Sequence, residues 1–217
     1  MPISEVHNCD CLEYMRSIPD KYFDLCIADP PYGINAANMN MGSGKHKWAK
    51  KDWDKAIPAD EIFSEIFRVS KEQIIWGGNY FKLPLTADWI VWDKMLRDMS
   101  FAEGELAWSS IHKNLRIFKY HTTQSDPGGR IHPTQKPIAL YSWILDKYAK
   151  FEGGGKIFDP FLGSGSSRIA AYKKGYDFYA CELDKDYYEA QEERFRRECL
   201  GEIKTQSGAI ITEQQLF

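Results

Sequence analysis

The order of apolar runs along this chain predicts an α/β fold: one Rossmann-like, doubly wound, mostly parallel sheet in a three-layer α/β/α arrangement. Three observations predict it. Short runs rich in β-branched and aromatic residues alternate with segments whose apolar residues recur at helical spacing. A strand, a glycine-rich turn and a helix follow one another over 156–175. The composition, 43% hydrophobic and 27% charged over 217 residues, is that of a folded globular chain of one domain, taken here as 1–217.

A strand at Ile3 to His7 leads to a helix from about Asp10, an N-cap candidate, through Ile18. Tyr22 to Ala28 is an apolar strand that runs into Asp29, Pro30, Pro31 and Tyr32. Residues 33–57 are polar, basic and without either period, which predicts a mobile functional loop at about 34–57. Pro58 and Asp60 open a helix with Ile62, Ile66, Phe67 and Val69 close to helical spacing. Strands follow at "QIIWGGN", "DWIVWDK" and "GELAWSS", with "LRIFKYHTT" as a fourth. "KPIALYSWILDKYAK" is a helix with Pro137 in its first turn, closed by the glycines at 153–155. "KIFDP" is a strand, "SSRIAAYKKG" a helix stopped at Gly175, "YDFYACELD" a strand and "DKDYYEAQEERFRRECL" the last helix.

Several classes are disfavoured early. The net charge of −3 gives no global nucleic-acid signal, so such a partner needs a local basic patch. Five cysteines without CxxC or zinc-type His spacing predict neither a disulfide framework nor a metal site, and Cys26 and Cys181 read as packing. The N-terminus has no apolar signal core, and no run approaches the ~18 apolar residues of a membrane span. The expectation is a soluble, cytoplasmic protein.

In "KIFDPFLGSGSS", Gly163 and Gly165 allow a tight turn and close backbone approach, and the next helix offers its N-terminus to an anionic group. GxG alone is weak; no GK[ST] follows, and Arg168 stands where GxGxxG requires its third glycine. Glu182, 19 residues after Gly163, ends the next strand, where an acid can accept bonds from both ribose hydroxyls. Together they fit a nucleoside cofactor without a pyrophosphate, and S-adenosyl-L-methionine is such a molecule.

DPPY (29–32) has what methyl transfer to a conjugated amine requires. The exocyclic amine of adenine is a poor nucleophile because its lone pair is delocalised. Asp29 and the Pro30 carbonyl can each accept one of its N–H bonds and localise that pair. Pro30 and Pro31 hold the acceptors still, and Tyr32 can stack on an extruded base. No covalent nucleophile is needed.

DPPY, "HPTQKP" (132–137) and "DPFLGSGSS" together resemble the amino-group DNA methyltransferases over nearly the whole chain, and the motif order resembles their beta subclass. The resemblance implies the class I S-adenosylmethionine-dependent methyltransferase fold, and Asp before PPY implies adenine N6 over cytosine N4. It implies Asp29, Pro30, Pro31 and Tyr32 as the catalytic set. It places Asp10 and Cys11 at the cofactor's adenine and His132, Thr134 and Lys136 at its methionine end. It sets Asp29, Asp159, Pro160, Phe161, Gly163, Ser164, Gly165, Ser166, Glu182 and Leu183 around the cofactor. "IIWGGNYF" and "AEGELAW" match strand positions and read as scaffold.

Residues 45–55, "KHKWAKKDWDK", interleave five lysines with two tryptophans. Lys45, Lys47, Lys50 and Lys51 suit phosphates, and Trp48 and Trp53 suit bases. The segment at about 112–131 falls where the family inserts target recognition; it is short, which implies relaxed specificity or completion by a second subunit, a homodimer included. The tail "ITEQQLF" faintly resembles peptides that dock on a bacterial sliding clamp, with a departure at its leading position. The reading is an adenine-N6 DNA methyltransferase, solitary or phage-encoded, and its place in a restriction–modification system stays open. Rival readings are the same chemistry on cytosine N4 or RNA adenine, a non-catalytic cofactor-binding subunit on DNA, and a dinucleotide oxidoreductase.

Overall fold

A computed structural model of the chain describes residues 1–36, 51–98, 102–111, 114–121, 126, 129–151, 154–204 and 210–212. In chain order the elements are β1 (Ser4–His7), α1 (Cys11–Arg16), β2 (Phe23–Ala28), α2 (Asp60–Val69), β3 (Ser70–Trp76), β4 (Trp89–Asp93), β5 (Gly104–Ser109) and β6 (Arg116–Lys119). Then follow α3 (Ile138–Tyr148), β7 (Lys156–Asp159), α4 (Ser166–Lys173), β8 (Asp177–Cys181), α5 (Lys185–Phe195), β9 (Glu202–Lys204) and β10 (Ile210–Thr212). A π turn over Arg196–Leu200 extends α5.

Eight strands form one sheet in the order β1-β8-β7-β2-β3-β5-β4-β6. It is parallel except where β5 runs antiparallel between β3 and β4. The predicted doubly wound α/β architecture is therefore observed, with β5 as the insertion that makes the sheet mixed. Strand β2 lies between β7 and β3, in register Leu25 with Ile157 and Ile27 with Ile74. Covered on both faces, it needs a near-continuous apolar run. One core cluster joins Leu25, Ile27, Ile74, Trp76 and Ile90 to α3 and α4. The other joins Cys26, Ala28 and Ile75 to Met15 of α1 and Phe63, Ile66 and Val69 of α2. The alternation of β2 side chains between these clusters fixes its register.

Caps set where the helices begin. Asp10 accepts hydrogen bonds from the Leu12 and Glu13 N–H groups and starts α1, and Asp184 does the same for α5 through Asp186 and Tyr187. Helix α1 stops at Arg16, two residues before the expected end, with the Ser17 hydroxyl donating to the Tyr14 carbonyl.

A buried ion pair ties α5 to the glycine turn. Arg194, fully buried, donates to Asp126 at 2.8 Å, to the Ser164 carbonyl at 2.8 Å and to the Ser166 hydroxyl at 2.9 Å. Asp126 also accepts from the Ile138 N–H at the start of α3. Removing one partner leaves a buried charge uncompensated, so Asp126→Ala is expected to lower unfolding stability by about 3–5 kcal/mol. Asp126→Asn, which keeps an acceptor, is expected to cost less; equal denaturation midpoints for the two variants in urea would contradict this assignment.

Candidate active site

The residues after β2 meet the start of α3 at the carboxyl edge of the sheet. Asp29 Oδ1 accepts a hydrogen bond from the Tyr32 hydroxyl at 2.8 Å, and Oδ2 lies 2.5 Å from Lys136 Nζ. Lys136, its side chain 3% exposed, also pairs with Glu105 Oε2 at 3.0 Å, and Glu105 Oε1 pairs with Lys94 at 2.7 Å. Burial pushes the Asp29 carboxyl up, with Lys136 opposing. Burial acts the same way on Glu105, yet its two lysines outweigh it and hold that carboxyl down at about 2. Burial depresses Lys136, but the two carboxylates more than restore it and keep it charged.

The Tyr32 ring stacks on Tyr80, with centroids 5.1 Å apart and planes 12° from parallel. Its edge packs on Gly77, which has φ +67° and a backbone so near that a Cβ there would overlap the ring. Asp54 secures the chain leaving Tyr32: its carboxylate accepts from the Gly33 N–H at 2.9 Å and the Ala36 N–H at 2.7 Å.

The turn from β7 to α4 lies alongside. Gly163 and Gly165 have φ of +54° and +74°. Gly165 precedes α4 and no side chain caps that end, so the first-turn N–H groups face outward without a carboxylate of their own. Glu182, at the end of β8, accepts from the Gly163 N–H at 2.7 Å and the Asp184 N–H at 2.8 Å. Its carboxyl is buried and pushed up for that reason. His132 lies between Trp53 and Tyr187, with centroids at 5.1 and 4.3 Å. Burial, then Lys136, drives its pKa down to about 3, so the imidazole is neutral; Nδ1 accepts from the Thr134 N–H at 3.3 Å, which places the ring proton on Nε2.

One cavity of about 930 Å³ unites these parts. Asp29, Pro30, Pro31, Tyr32, Asp10, Cys11, His132, Thr134, Lys136, Pro160, Phe161, Gly163, Ser164, Ser166, Glu182, Leu183 and Trp53 all line it. Asp159 and Gly165, expected around the cofactor, do not. Asp159 is 1% exposed and accepts from the Phe161 N–H and, at 2.5 Å, from the Ser167 hydroxyl, so it shapes the turn from behind. Lys51, expected on phosphate, instead pairs with Asp184 at 2.5 Å and Asp186 at 2.8 Å beside Tyr187. The two acids outcompete solvent there. Lys45, Lys47, Trp48 and Lys50 fall outside the described residues, as do residues 112, 113, 122–125, 127 and 128 of the 112–131 segment and the last five residues of the tail.

Sequence reasoning missed four contributors: Glu105, Lys94, Asp54 and Tyr80. Glu105 stands in "GELAW", a strand otherwise small or apolar; the lone acid in that run was a signal that it has a buried partner, though not of which one. The residues present fit S-adenosyl-L-methionine. A buried acceptor at the end of β8 suits a ribose, an uncapped helix start suits a carboxylate, and Phe161, Leu183 and Cys11 offer apolar cover for a base. The volume suits such a ligand together with part of a second one.

A family model described as DNA methylase, of N6/N4 methyltransferases, matches residues 75–193. Type II methyltransferase M2.MboI of Moraxella bovis is 21% identical over 250 aligned residues, covering 88% of this chain and 86% of its own. Among solved structures, an M1.HpyAVI–SAM complex superposes with a TM-score of 0.56 at 17% identity, covering 88% of this chain and 98% of its own. PvuII DNA methyltransferase, described as cytosine-N4-specific, gives 0.59 at 14% identity over 90% of this chain and 87% of its own. These structures share the fold.

Two predictions follow from the site's construction. Gly77→Ala forces a left-handed residue and displaces Tyr32, at a cost of about 1–3 kcal/mol from backbone strain alone; a stability equal to that of the unaltered chain would contradict the contact. Asp159 has a folded pKa raised from 3.8 to about 7, chiefly by burial. A raised carboxyl stabilises the fold most below its unfolded pKa, and that contribution fades as pH rises through the folded value. Unfolding stability should therefore decline between about pH 4 and 7 with a slope of up to about 1.4 kcal/mol per pH unit from this group. Asp159→Asn should flatten the curve in that window; an unchanged slope in thermal melts across pH would refute it.

Proposed function

The chain belongs to the DNA methylase family of N6/N4 methyltransferases, and from that premise we propose that it transfers a methyl group from S-adenosyl-L-methionine to the N6 amino group of adenine in DNA, with the base turned out of the duplex. The observation that carries this reading is the shared cavity: Asp29 and Tyr32 face the same space as Gly163 and Glu182. An amine acceptor and a nucleoside site are thus held side by side by one sheet edge.

When bound, the cofactor supplies a methyl carbon on a positively charged sulfur, which leaves as a neutral thioether. Glu182 holds the ribose through the lone pairs its two backbone bonds leave over, and the α4 N-terminus receives the carboxylate. His132 and Thr134 close the methionine end as neutral groups, which spares the donor a like charge. Asp10 uses one carboxylate oxygen as the α1 cap and turns toward the adenine with the other. Phe161 and Leu183 exclude water from it.

Asp29 and the Pro30 carbonyl accept the two N–H bonds of the target amine and bring its lone pair out of conjugation. Oδ1 holds the Tyr32 hydroxyl in the structure, so the arriving amine takes that hydroxyl's place. After transfer the nitrogen carries one surplus proton, and Asp29, whose affinity for protons burial raises, takes it at Oδ1. Tyr32 stacks on the base, as aromatic platforms do for extruded nucleotides.

Adenine is preferred over cytosine because the motif begins with Asp, and DNA over RNA because of the family. The segments at about 34–57 and 112–131 read the duplex, and the shortness of the second implies limited sequence specificity.

The test is labelled methyl transfer to duplex DNA, single-stranded DNA and RNA, followed by nucleoside analysis. N6-methyladenine from DNA is the expected product. N4-methylcytosine would replace the target, and no methylated nucleoside from any substrate would end the proposal. Asp29→Ala is expected to lower kcat by at least about 10²-fold, the scale of a lost proton acceptor, while cofactor binding by calorimetry stays within a few-fold. Full turnover in this variant would remove Asp29 from the mechanism.

A further inference from the structure

The pair of carboxylates on Lys136 carries an inference that rests on the methyltransferase reading and deepens it. Asp29 sits at the end of β2, Lys136 just before α3 and Glu105 on the antiparallel strand β5, and none is near another in sequence. They converge because β5 is inserted beside β3, which brings its first residues over the carboxyl edge of β2. We propose that Glu105 is a positioning residue for Asp29: anchored by Lys94, it pulls Lys136 into a bridge that occupies Oδ2 and leaves Oδ1 as the one carboxylate oxygen presented to the target amine.

The distances describe such a chain. Lys94 Nζ meets Glu105 Oε1 at 2.7 Å, Glu105 Oε2 meets Lys136 Nζ at 3.0 Å, and Lys136 Nζ meets Asp29 Oδ2 at 2.5 Å. Lys136 Nζ stands 3.4 Å from the Tyr32 hydroxyl as well, so the same cation steadies the ring that stacks on the base. A flexible, almost fully buried lysine has many rotamers and three donors. With a single carboxylate it has no unique position. A second carboxylate on the far side, itself fixed by Lys94, defines one.

The charges also balance. Two lysines and two carboxylates cancel, so the positive charge of Lys136 is shared with Glu105 and does not fall on Asp29 alone. Among the described residues, the charged groups that face it are Lys136 from the α3 entry, with Glu105 of β5 and Lys94 at the end of β4 behind it, and the more distant Asp159 of β7. The hydroxyls facing it are those of Tyr32 and, on α3, Tyr141. If Glu105 lost its charge, Lys136 would belong to Asp29 alone. Asp29 would then release its proton at lower pH and accept one less readily.

The near-isosteric variant Glu105→Gln tests this, because it removes the charge while its single amide oxygen can still accept from one of the two lysines. The readout independent of turnover is the titration of Asp29, followed by NMR on protein labelled at aspartate Cγ and assigned with Asp29→Asn. The expected result is a midpoint in Glu105→Gln lower than in the unaltered protein, and one in Lys136→Met higher. In steady-state methyl transfer, Glu105→Gln should lower kcat by about tenfold, a fraction of the 10²–10⁴ attributed to proton acceptors. KM for the cofactor should hold, and the acidic limb of the pH–rate profile should move to lower pH.

A purely structural Glu105 would alter the melting temperature and leave the Asp29 midpoint in place, and that outcome overturns the proposal. So does a kcat and pH profile in Glu105→Gln equal to those of the unaltered enzyme. If the unaltered chain transfers no methyl group, the functional reading fails, while the Asp29 titration still decides the coupling between Glu105 and Asp29.

Discussion

A buried lysine must be neutralised, and in this protein the neutralisation of Lys136 organises the site. Nζ is almost enclosed, and an unpaired ammonium there would cost several kcal/mol or lose its proton. The structure answers with two carboxylates from different strands, Asp29 and Glu105. The requirement links three parts of the chain at one point: the end of β2, the start of β5 and the entry to α3. Pro30 and Pro31 stiffen the first of these and Pro137 the last, so the charges meet on segments with little backbone freedom. The cluster is costly in desolvation and adds little net stability. Its consequence is geometric, since each member has one place to be.

Around that point the protein spends its polar groups on backbone geometry. Asp54 ties down the chain after Tyr32, Asp159 the chain after β7, Asp126 the chain entering α3, and Glu182 both the glycine turn and the start of α5. These acids accept N–H groups that a helix or strand would otherwise satisfy, which is how irregular segments can be buried at all. The cavity walls are thereby rigid loops on a rigid sheet, suited to holding two reactants at a fixed separation.

Much of this was legible in the sequence where one residue type has one physical use. Strand β2 was readable because both of its faces are covered, and Gly163 and Gly165 because a turn of that tightness needs positive φ. Asp29 and Glu182 stood out as acids at the ends of apolar strands, Tyr32 as the ring beside the first, and His132 and Lys136 through the resemblance carried by HPTQKP; all five line the cavity. Glu105 stayed hidden because its partner depends on β5 running antiparallel between β3 and β4, a pairing that no local pattern encodes. Arg194 lies in a helix rich in charges, where no local pattern sets it apart; only the packing of α5 against the glycine turn reveals that it is buried. The resemblance grouped Asp159 and Gly165 with the cofactor set, whereas the Asp159 side chain faces backward and holds the turn from behind. Lys51 stood in a basic run that suggested phosphates, and in the fold it pairs with Asp184 and Asp186, which lie far away in sequence.

The separation of the two halves of the site in sequence, about 130 residues from Asp29 to Gly163, has a simple resolution in the sheet. Strands β2 and β7 are parallel neighbours, with Cys26 beside Phe158. Parallel pairing puts both carboxyl ends at the same edge, so whatever follows each strand must share that edge. DPPY follows one and the glycine turn follows the other. Their distance apart is then set by adjacent strands in a sheet, about 5 Å, and hardly depends on the chain between them. That intervening chain is free to carry β3 to β6, and with β5 it carries the acid that meets Lys136. The insertion that interrupts the parallel order of the sheet is thus the element that completes the charge cluster, and the reactive edge acquires Glu105 without any change to the strands that define it.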